Sequence, residues 1–227
     1  MSKKRALLIG INYPNTTYQL NGCINDVMLI NQILTEHFGF IDPLEKQMLI
    51  DKDATTLNII EKLYWLVSNA QSGDALYLHY SGHGLQTLAA ANKNIKQINI
   101  NDIFYNMPVG VKLTMVFDCC YTLGFVDDYL TATVIPVDIS ESITLVVNSG
   151  VIISGCRKNQ KSADLWLYDK FIGAATYFIA QNLKNYKYEV DYLTLTAEIN
   201  QSMKKHKYKQ QIELIGDSSC FSTKFLK

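Results

Sequence analysis

Two stretches of the chain end in side chains that can do nucleophilic chemistry. Residues 76–84 read LYLHYSGHG, a run of strand formers that stops at Ser81-Gly82-His83-Gly84. Such residues suit a pleated, buried surface, and glycines on either side of one histidine break it. Residues 113–117 form a second strand-like run, which stops at Asp118-Cys119-Cys120. Reaction sites of open α/β sheets gather where strands end. One imidazole and one thiol at two such tips therefore make a candidate base and nucleophile. A free thiol, with a pKa of about 8.5, is only a few per cent ionised near neutral pH. An imidazole beside it can take that proton and later return it to a leaving amine. Asp118 precedes Cys120 by two residues, and strand alternation points both side chains the same way.

These tips need a sheet to hold them. Residues 6–11 read as a buried first strand, and 14–17 as a loop. From 23 to 38, Ile24, Val27, Met28, Ile30, Leu34 and Phe38 recur near helical spacing until Gly39. A strand at 47–50 precedes a helix that Asp53 or Thr55 can cap, with Leu57, Ile60, Leu63, Tyr64 and Val67 on its apolar side. Residues 71–74 turn the chain into the strand that carries His83. A brief helical pattern over 100–107, ended by Pro108 and Gly110, precedes the strand that carries Cys120. Further on, 143–147 and 151–154 read as strands joined by a turn at Asn148-Ser149-Gly150, 170–183 and 193–204 as helices, and 211–214 as a last strand. This alternation predicts a mostly parallel central sheet with helices on both faces, in a single domain over 1–227.

Composition narrows the function classes. Lys+Arg and Asp+Glu balance at 21 each, so no net charge draws the 227-residue chain to nucleic acid or to an anionic membrane. Five cysteines, at 23, 119, 120, 156 and 220, are odd in number and irregular in spacing. That pattern fits neither a disulfide framework nor a zinc finger and implies a reducing compartment. The start, MSKKRALLIGINY, has too short an apolar run for a signal peptide, and 142–156 is too short and polar to span a bilayer. The expectation is a cytoplasmic protein, monomeric, without nucleic-acid or membrane partners. His37, His79 and His206 read as core or surface residues, and Cys119, Cys156 and Cys220 as small packing residues.

Several blocks in order carry a resemblance: ALLIGINY at 6–13, LNGCIND at 20–26, YSGHG at 80–84, FDCC at 117–120, and ISGC at 153–156. Gln160, Ser162-Ala163-Asp164, Gly173-Ala174, Thr176-Tyr177, Lys207-Tyr208 and Gln210 continue it. Together they resemble the metacaspases, cysteine peptidases on a caspase-like α/β fold. The resemblance implies a caspase-like three-layer sandwich with His83 as catalytic histidine and Cys120 as nucleophile. The backbone N–H groups of Gly84 and Cys120 would receive the oxyanion, where donors must already be aimed. The family cuts after Arg or Lys, and the matching pocket positions are Cys23, Asp26, Ser81 and Asp118. Carboxylates facing a cation are what such a pocket needs.

Three features depart from the family pattern. Tyr121-Thr122-Leu123 follows the cysteine where the family commonly has His-Ser-Gly. The segment 84–117, where relatives carry an acidic calcium-binding insertion, holds one acid, Asp102. A hard cation wants several oxygen ligands, and Asp127 with Asp128 beside it would make a poor site alone, so no firm metal or cofactor is expected and calcium activation is expected to be weak or absent. Residues 134–138, VIPVD, echo a motif that relatives place before the nucleophile. A second reading stays open on these grounds: a catalytically degenerate caspase-fold module that binds peptides or partners without cutting.

Overall fold

A computed structural model of the chain describes residues 2–84, 103–104, 107–120, 150–157, 160, 162–167 and 169–227. The first strand, β1 (Lys4–Gly10), is buried at every residue but its first. It lies between two parallel partners, β2 (Lys46–Ile50) and β3 (Ala75–Ser81). On β3 follow β4 (Lys112–Asp118) and β5 (Gly150–Ser154), also parallel, and then β8 (Glu213–Gly216), antiparallel at the edge. The sheet order is β2-β1-β3-β4-β5-β8. Parallel neighbours need crossovers, and α1 (Cys23–His37) joins β1 to β2 while α2 (Thr56–Val67) joins β2 to β3; α3 (Ala174–Asn185) and α4 (Tyr192–Lys205) precede the antiparallel β8. The predicted mostly parallel sheet with helices on both faces is present.

Strand alternation decides what each face sees. Leu76, Leu78 and Tyr80 of β3, with Leu113, Met115 and Phe117 of β4, pack with Ile59, Leu63 and Leu66 of α2. The other face carries Tyr77 and Val116, which share a core with Val27 and Ile30 of α1, Phe178 and Ile179 of α3, and Leu195 and Ile199 of α4. Each such side chain, fully buried, contributes about 1.5–3 kcal/mol. The helix starts are chemically explicit. The Thr55 hydroxyl accepts from Asn58 N–H at 3.2 Å, and Asp191 accepts from Thr194 N–H at 2.7 Å. Helix α1 follows Gly22, which has no side chain to cap it, and the Asn12 side chain accepts from Cys23 N–H at 3.0 Å instead.

Three expectations need correction. Residues 170–173 are not helical: β6 (Asp164–Leu167) and β7 (Lys170–Gly173) form an antiparallel hairpin, and α3 starts only at Ala174. Four-residue strands are too short for periodicity to separate from a helix. The turn is marked by Asp169 at φ 60°. The last strand lies two residues later than expected, and Gly150 is no turn residue but pairs with Leu113 in β5. The expected strand at 143–147 and most of the expected helix at 100–107 lie outside the described residues. Among those described, no helix is long and apolar enough to cross a membrane.

His79, in mid-β3, is fully buried, and neither ring nitrogen has a partner among the described residues. Burial lowers its pKa from 6.5 to about 3. The unfolded chain therefore binds a proton that the fold refuses, and stability falls as pH drops below about 6.5. At pH 5 this costs about 2 kcal/mol. His79→Leu is expected to widen its stability advantage over wild type between pH 7 and pH 5 in urea melts. An equal gap at both pH values would show that His79 does not titrate with folding.

Candidate active site

Sheet register brings the two reactive tips together. Gly10, Ser81 and Asp118 are paired across β1, β3 and β4, so these strands end level at one edge. His83 and Cys120 each lie two residues past that level, on adjacent strands. The Gly82 N–H continues the pairing to the Asp118 carbonyl oxygen at 3.4 Å.

The histidine is held on both sides of its backbone. Its N–H donates to the Tyr13 hydroxyl at 3.1 Å, and its carbonyl oxygen accepts from the Tyr80 hydroxyl at 2.8 Å. The two hydroxyls stand 3.2 Å apart; Tyr80 gives its proton to His83, so Tyr13 is the donor between them. Burial pushes the Tyr13 phenol up to about 12, which keeps it protonated. The ring is fixed by the Tyr18 carbonyl oxygen, 2.6 Å from His83 Nε2. A carbonyl only accepts, so Nε2 carries the hydrogen, and Nδ1 of the neutral ring keeps its lone pair. The Tyr13 ring lies against the imidazole with centroids 4.8 Å apart.

The two adjacent cysteines differ. Cys119 is buried in the α2-side core, whereas Cys120 is only half-buried, and its Sγ accepts from Ser162 N–H at 3.3 Å. Gly84 packs against this tip so tightly that a Cβ there would collide with the Cys120 carbonyl oxygen. The glycine after the histidine thus lets two backbones approach. Cys156 is also buried, and its thiol donates to the Cys119 carbonyl oxygen at 3.3 Å.

Beside these tips the four positions expected to form the cation pocket, Cys23, Asp26, Ser81 and Asp118, meet. Alternation that sends Tyr77 toward α1 sends Ser81 there too, and Val116 takes Asp118 the same way. Asp26, in the first turn of α1, accepts from the Ser81 hydroxyl at 2.6 Å and from Gly173 N–H at 2.8 Å. It is not a helix cap. Asp118 accepts from the Ser162 hydroxyl at 2.6 Å and from Thr176 N–H and hydroxyl at 2.9 and 2.8 Å. A Cβ on Gly173 would collide with Asp118 Oδ2 and stand 2.7 Å from Asp26 Oδ2, so both carboxyls converge over this glycine. Loss of water raises the Asp26 carboxyl well above the usual carboxylate range, and the charge of Asp118 adds to it. Burial also raises Asp118, against the pull of its donors. Burial pushes the Cys23 thiol up, so it stands beside these carboxyls as a neutral group. Asp164, at the start of β6, adds a third carboxyl near the same group: burial raises it, Asp118 raises it further, and His83 lowers it.

Residue types and spacing point to His83 and Cys120 and set Asp118 on the side of Cys120; Gly84, Cys23, Asp26 and Ser81 follow from the resemblance. Tyr13, Tyr80, Ser162, Gly173 and Thr176 stood in the quoted blocks without a role, and Tyr18 acts through a backbone atom that no side chain announces. Tyr121-Thr122-Leu123, Asp127, Asp128 and 134–138 lie outside the described residues.

A family model for the metacaspase, peptidase C14 domain matches residues 4–99. Metacaspase-1 of Schizosaccharomyces pombe is 37% identical over 152 residues, covering 55% of this chain and 35% of that protein. Metacaspase-7 of Arabidopsis thaliana is 37% identical over 146 residues, covering 55% and 36%. The chain thus spans little more than a third of either. Metacaspase-3 of Trypanosoma brucei brucei is 32% identical over 253 residues, covering 92% of this chain and 70% of that one. Among solved structures, a Geobacter sulfurreducens protein has a TM-score of 0.70 at 19% identity, covering 99% of this chain and 98% of its own, a likeness of fold alone.

Proposed function

The chain belongs to the metacaspase family, and from that premise we propose that it is a cysteine endopeptidase cutting peptide bonds after Arg or Lys. What supports this most is the convergence of His83, Cys120 and two buried carboxyls, which make no ion pair among the described residues, at one sheet edge. A substrate's Arg or Lys enters between Asp26 and Asp118, which places the following carbonyl over Cys120. His83 Nδ1 takes the thiol proton, and the thiolate attacks the carbonyl carbon. The N–H groups of Gly84 and Cys120 receive the oxyanion. His83 then protonates the leaving amine, and a thioester remains. Water, deprotonated by His83, cleaves the thioester and frees the acid and the thiol.

A thiol-reactive peptide probe with Arg or Lys at its reactive end tests the reading. Labelling at Cys120 that is lost in Cys120→Ala is the expected result. A folded wild type that stays unlabelled would leave a peptide-binding module instead. Five cysteines, odd in number and irregularly spaced, suit a cytoplasmic setting, and we expect the protein to act there as a monomer on peptide or protein substrates.

The same specificity constrains maturation. Residues 113–156 contain neither Arg nor Lys, so an enzyme that cuts only after those residues leaves this connection intact. Self-cuts are expected instead after Lys93, Lys96, Arg157 or Lys158. Fragment ends of wild type and Cys120→Ala, mapped side by side by mass spectrometry, check this. A wild-type-only cut within 113–156 would overturn either the specificity or the intact connection.

Calcium is a separate expectation. With one acid in 84–117, cleavage is expected to proceed almost unchanged in excess chelator. A clear dependence on millimolar calcium would show that Asp127, Asp128 or other acids build a site.

A further inference from the structure

Ser162 stands between the nucleophile and the pocket. Its backbone N–H donates to Cys120 Sγ at 3.3 Å, and its hydroxyl donates to Asp118 Oδ1 at 2.6 Å. That hydroxyl has one hydrogen, committed to Asp118, so its oxygen is left to accept. Gln210 supplies the donor. Buried to 4% exposure, it gives Nε2–H to Ser162 Oγ at 3.2 Å and to the Gly155 carbonyl oxygen, while its Oε1 accepts from Ala163 N–H at 2.9 Å. These partners fix which way the amide faces, because the carbonyl can only accept and the backbone N–H can only donate. Gln160 pins the same loop a second time, donating to the Lys209 carbonyl oxygen at 2.8 Å and accepting from Gln211 N–H at 2.9 Å.

We propose that Ser162, set in place by Gln210, is a positioning residue that joins the cation pocket to the nucleophile. Its N–H steadies the Cys120 thiolate, and its hydroxyl holds the Asp118 carboxylate for the incoming cation. This rests on the reading of Cys120 and the pocket given above. A donor aimed at sulfur favours the thiolate over the thiol. A hydroxyl donating to a carboxylate is a charge-assisted bond, stronger than a neutral one. Among the described residues, only Ser162 and Thr176 donate to Asp118. Among the described residues, the carboxyls of Asp26 on α1 and Asp164 on β6 lie near it, and its charge raises both. Losing one of its donors therefore falls directly on the ionised form that binds a cation.

The test uses the full chain and two readouts: steady-state cleavage of an Arg reporter across pH, and iodoacetamide alkylation of Cys120 across pH, followed by mass spectrometry. Ser162→Ala removes the hydroxyl and keeps the N–H. It is expected to raise KM about 10- to 100-fold and to move the acid limb of kcat/KM to higher pH, and Ser162→Thr is expected to restore both. Gln210→Ala removes the amide that seats Ser162 and Ala163, so the Ser162 N–H is no longer held on the sulfur, and it is expected to raise the alkylation midpoint by about half a pH unit or more. Wild-type KM and acid limb in Ser162→Ala, or an unmoved midpoint in a folded Gln210→Ala, would overturn the proposal. Should Gln210→Ala not fold, the Ser162→Ala and Ser162→Thr pair decides alone. A wild type that alkylates at Cys120 yet cleaves no Arg or Lys reporter removes the peptidase reading and the pocket half with it. The alkylation titration still decides the nucleophile half.

Discussion

Cys120→Ala is expected to reduce hydrolysis of an Arg or Lys reporter peptide to the uncatalysed background, with the fold retained. Without the sulfur no thioester forms, and the pocket and oxyanion donors have no bond-making step to assist. His83→Ala is expected to cost about 10²- to 10⁴-fold in kcat, the usual worth of a positioned acid–base group. The double variant should be no worse than Cys120→Ala, because the two side chains act as one unit. The choice of Cys120 over its neighbour rests on exposure. Cys119 is 2% exposed and packed in the α2-side core, while Cys120 is half-buried, with its sulfur toward Ser162. Circular dichroism and thermal melts establish folding, and initial rates establish the loss. Full activity in Cys120→Ala together with none in Cys119→Ala would move the nucleophile one residue back.

The chemistry of this site was more legible in the sequence than its support. A histidine between glycines and a cysteine after a strand mark themselves, because few other patterns end a buried strand in that way. Their pairing then follows from sheet order, since parallel neighbours ending level put both tips at one edge. The alternation of Asp118 with Cys120 was likewise readable. What could not be read depends on contacts between distant segments. Tyr13 and Tyr80 are 67 residues apart, and nothing local says that their hydroxyls clamp one histidine backbone. Gly173 reads as part of a helix over 170–183, whereas it ends β7 and immediately precedes α3. That two carboxyls converge over it depends on the β6–β7 hairpin, whose strands are too short to show a period. Ser162 and Gln210 act through single hydrogen bonds across 48 residues, where polar residues in loops are unremarkable.

The pocket makes the second large prediction. Asp26→Asn and Asp118→Asn each keep the side chain's shape and remove one negative charge. Losing one partner of a buried charge pair costs about 2–5 kcal/mol, roughly 30- to several-thousand-fold in kcat/KM for Arg and Lys substrates. The pH dependence carries a sign that follows from the geometry. In the substrate-free pocket the two carboxyls face each other away from water, and both are raised, Asp26 by burial first and by Asp118 second. A cation binds the ionised form, so its entry must expel a proton, and kcat/KM should climb with pH through the raised range. Asp118→Asn removes the like charge that helps hold Asp26 protonated. Burial still keeps Asp26 above an ordinary carboxylate, but less so. The acid limb of this variant should therefore move to lower pH even as its maximum falls, the opposite of the shift expected for Ser162→Ala. Profiles of kcat/KM against pH for wild type and both Asn variants, with Arg, Lys and Asp reporters, check this. A wild-type preference for Asp at the cut position, or Asn variants that cleave Arg and Lys peptides like wild type, would remove the carboxylates from substrate recognition.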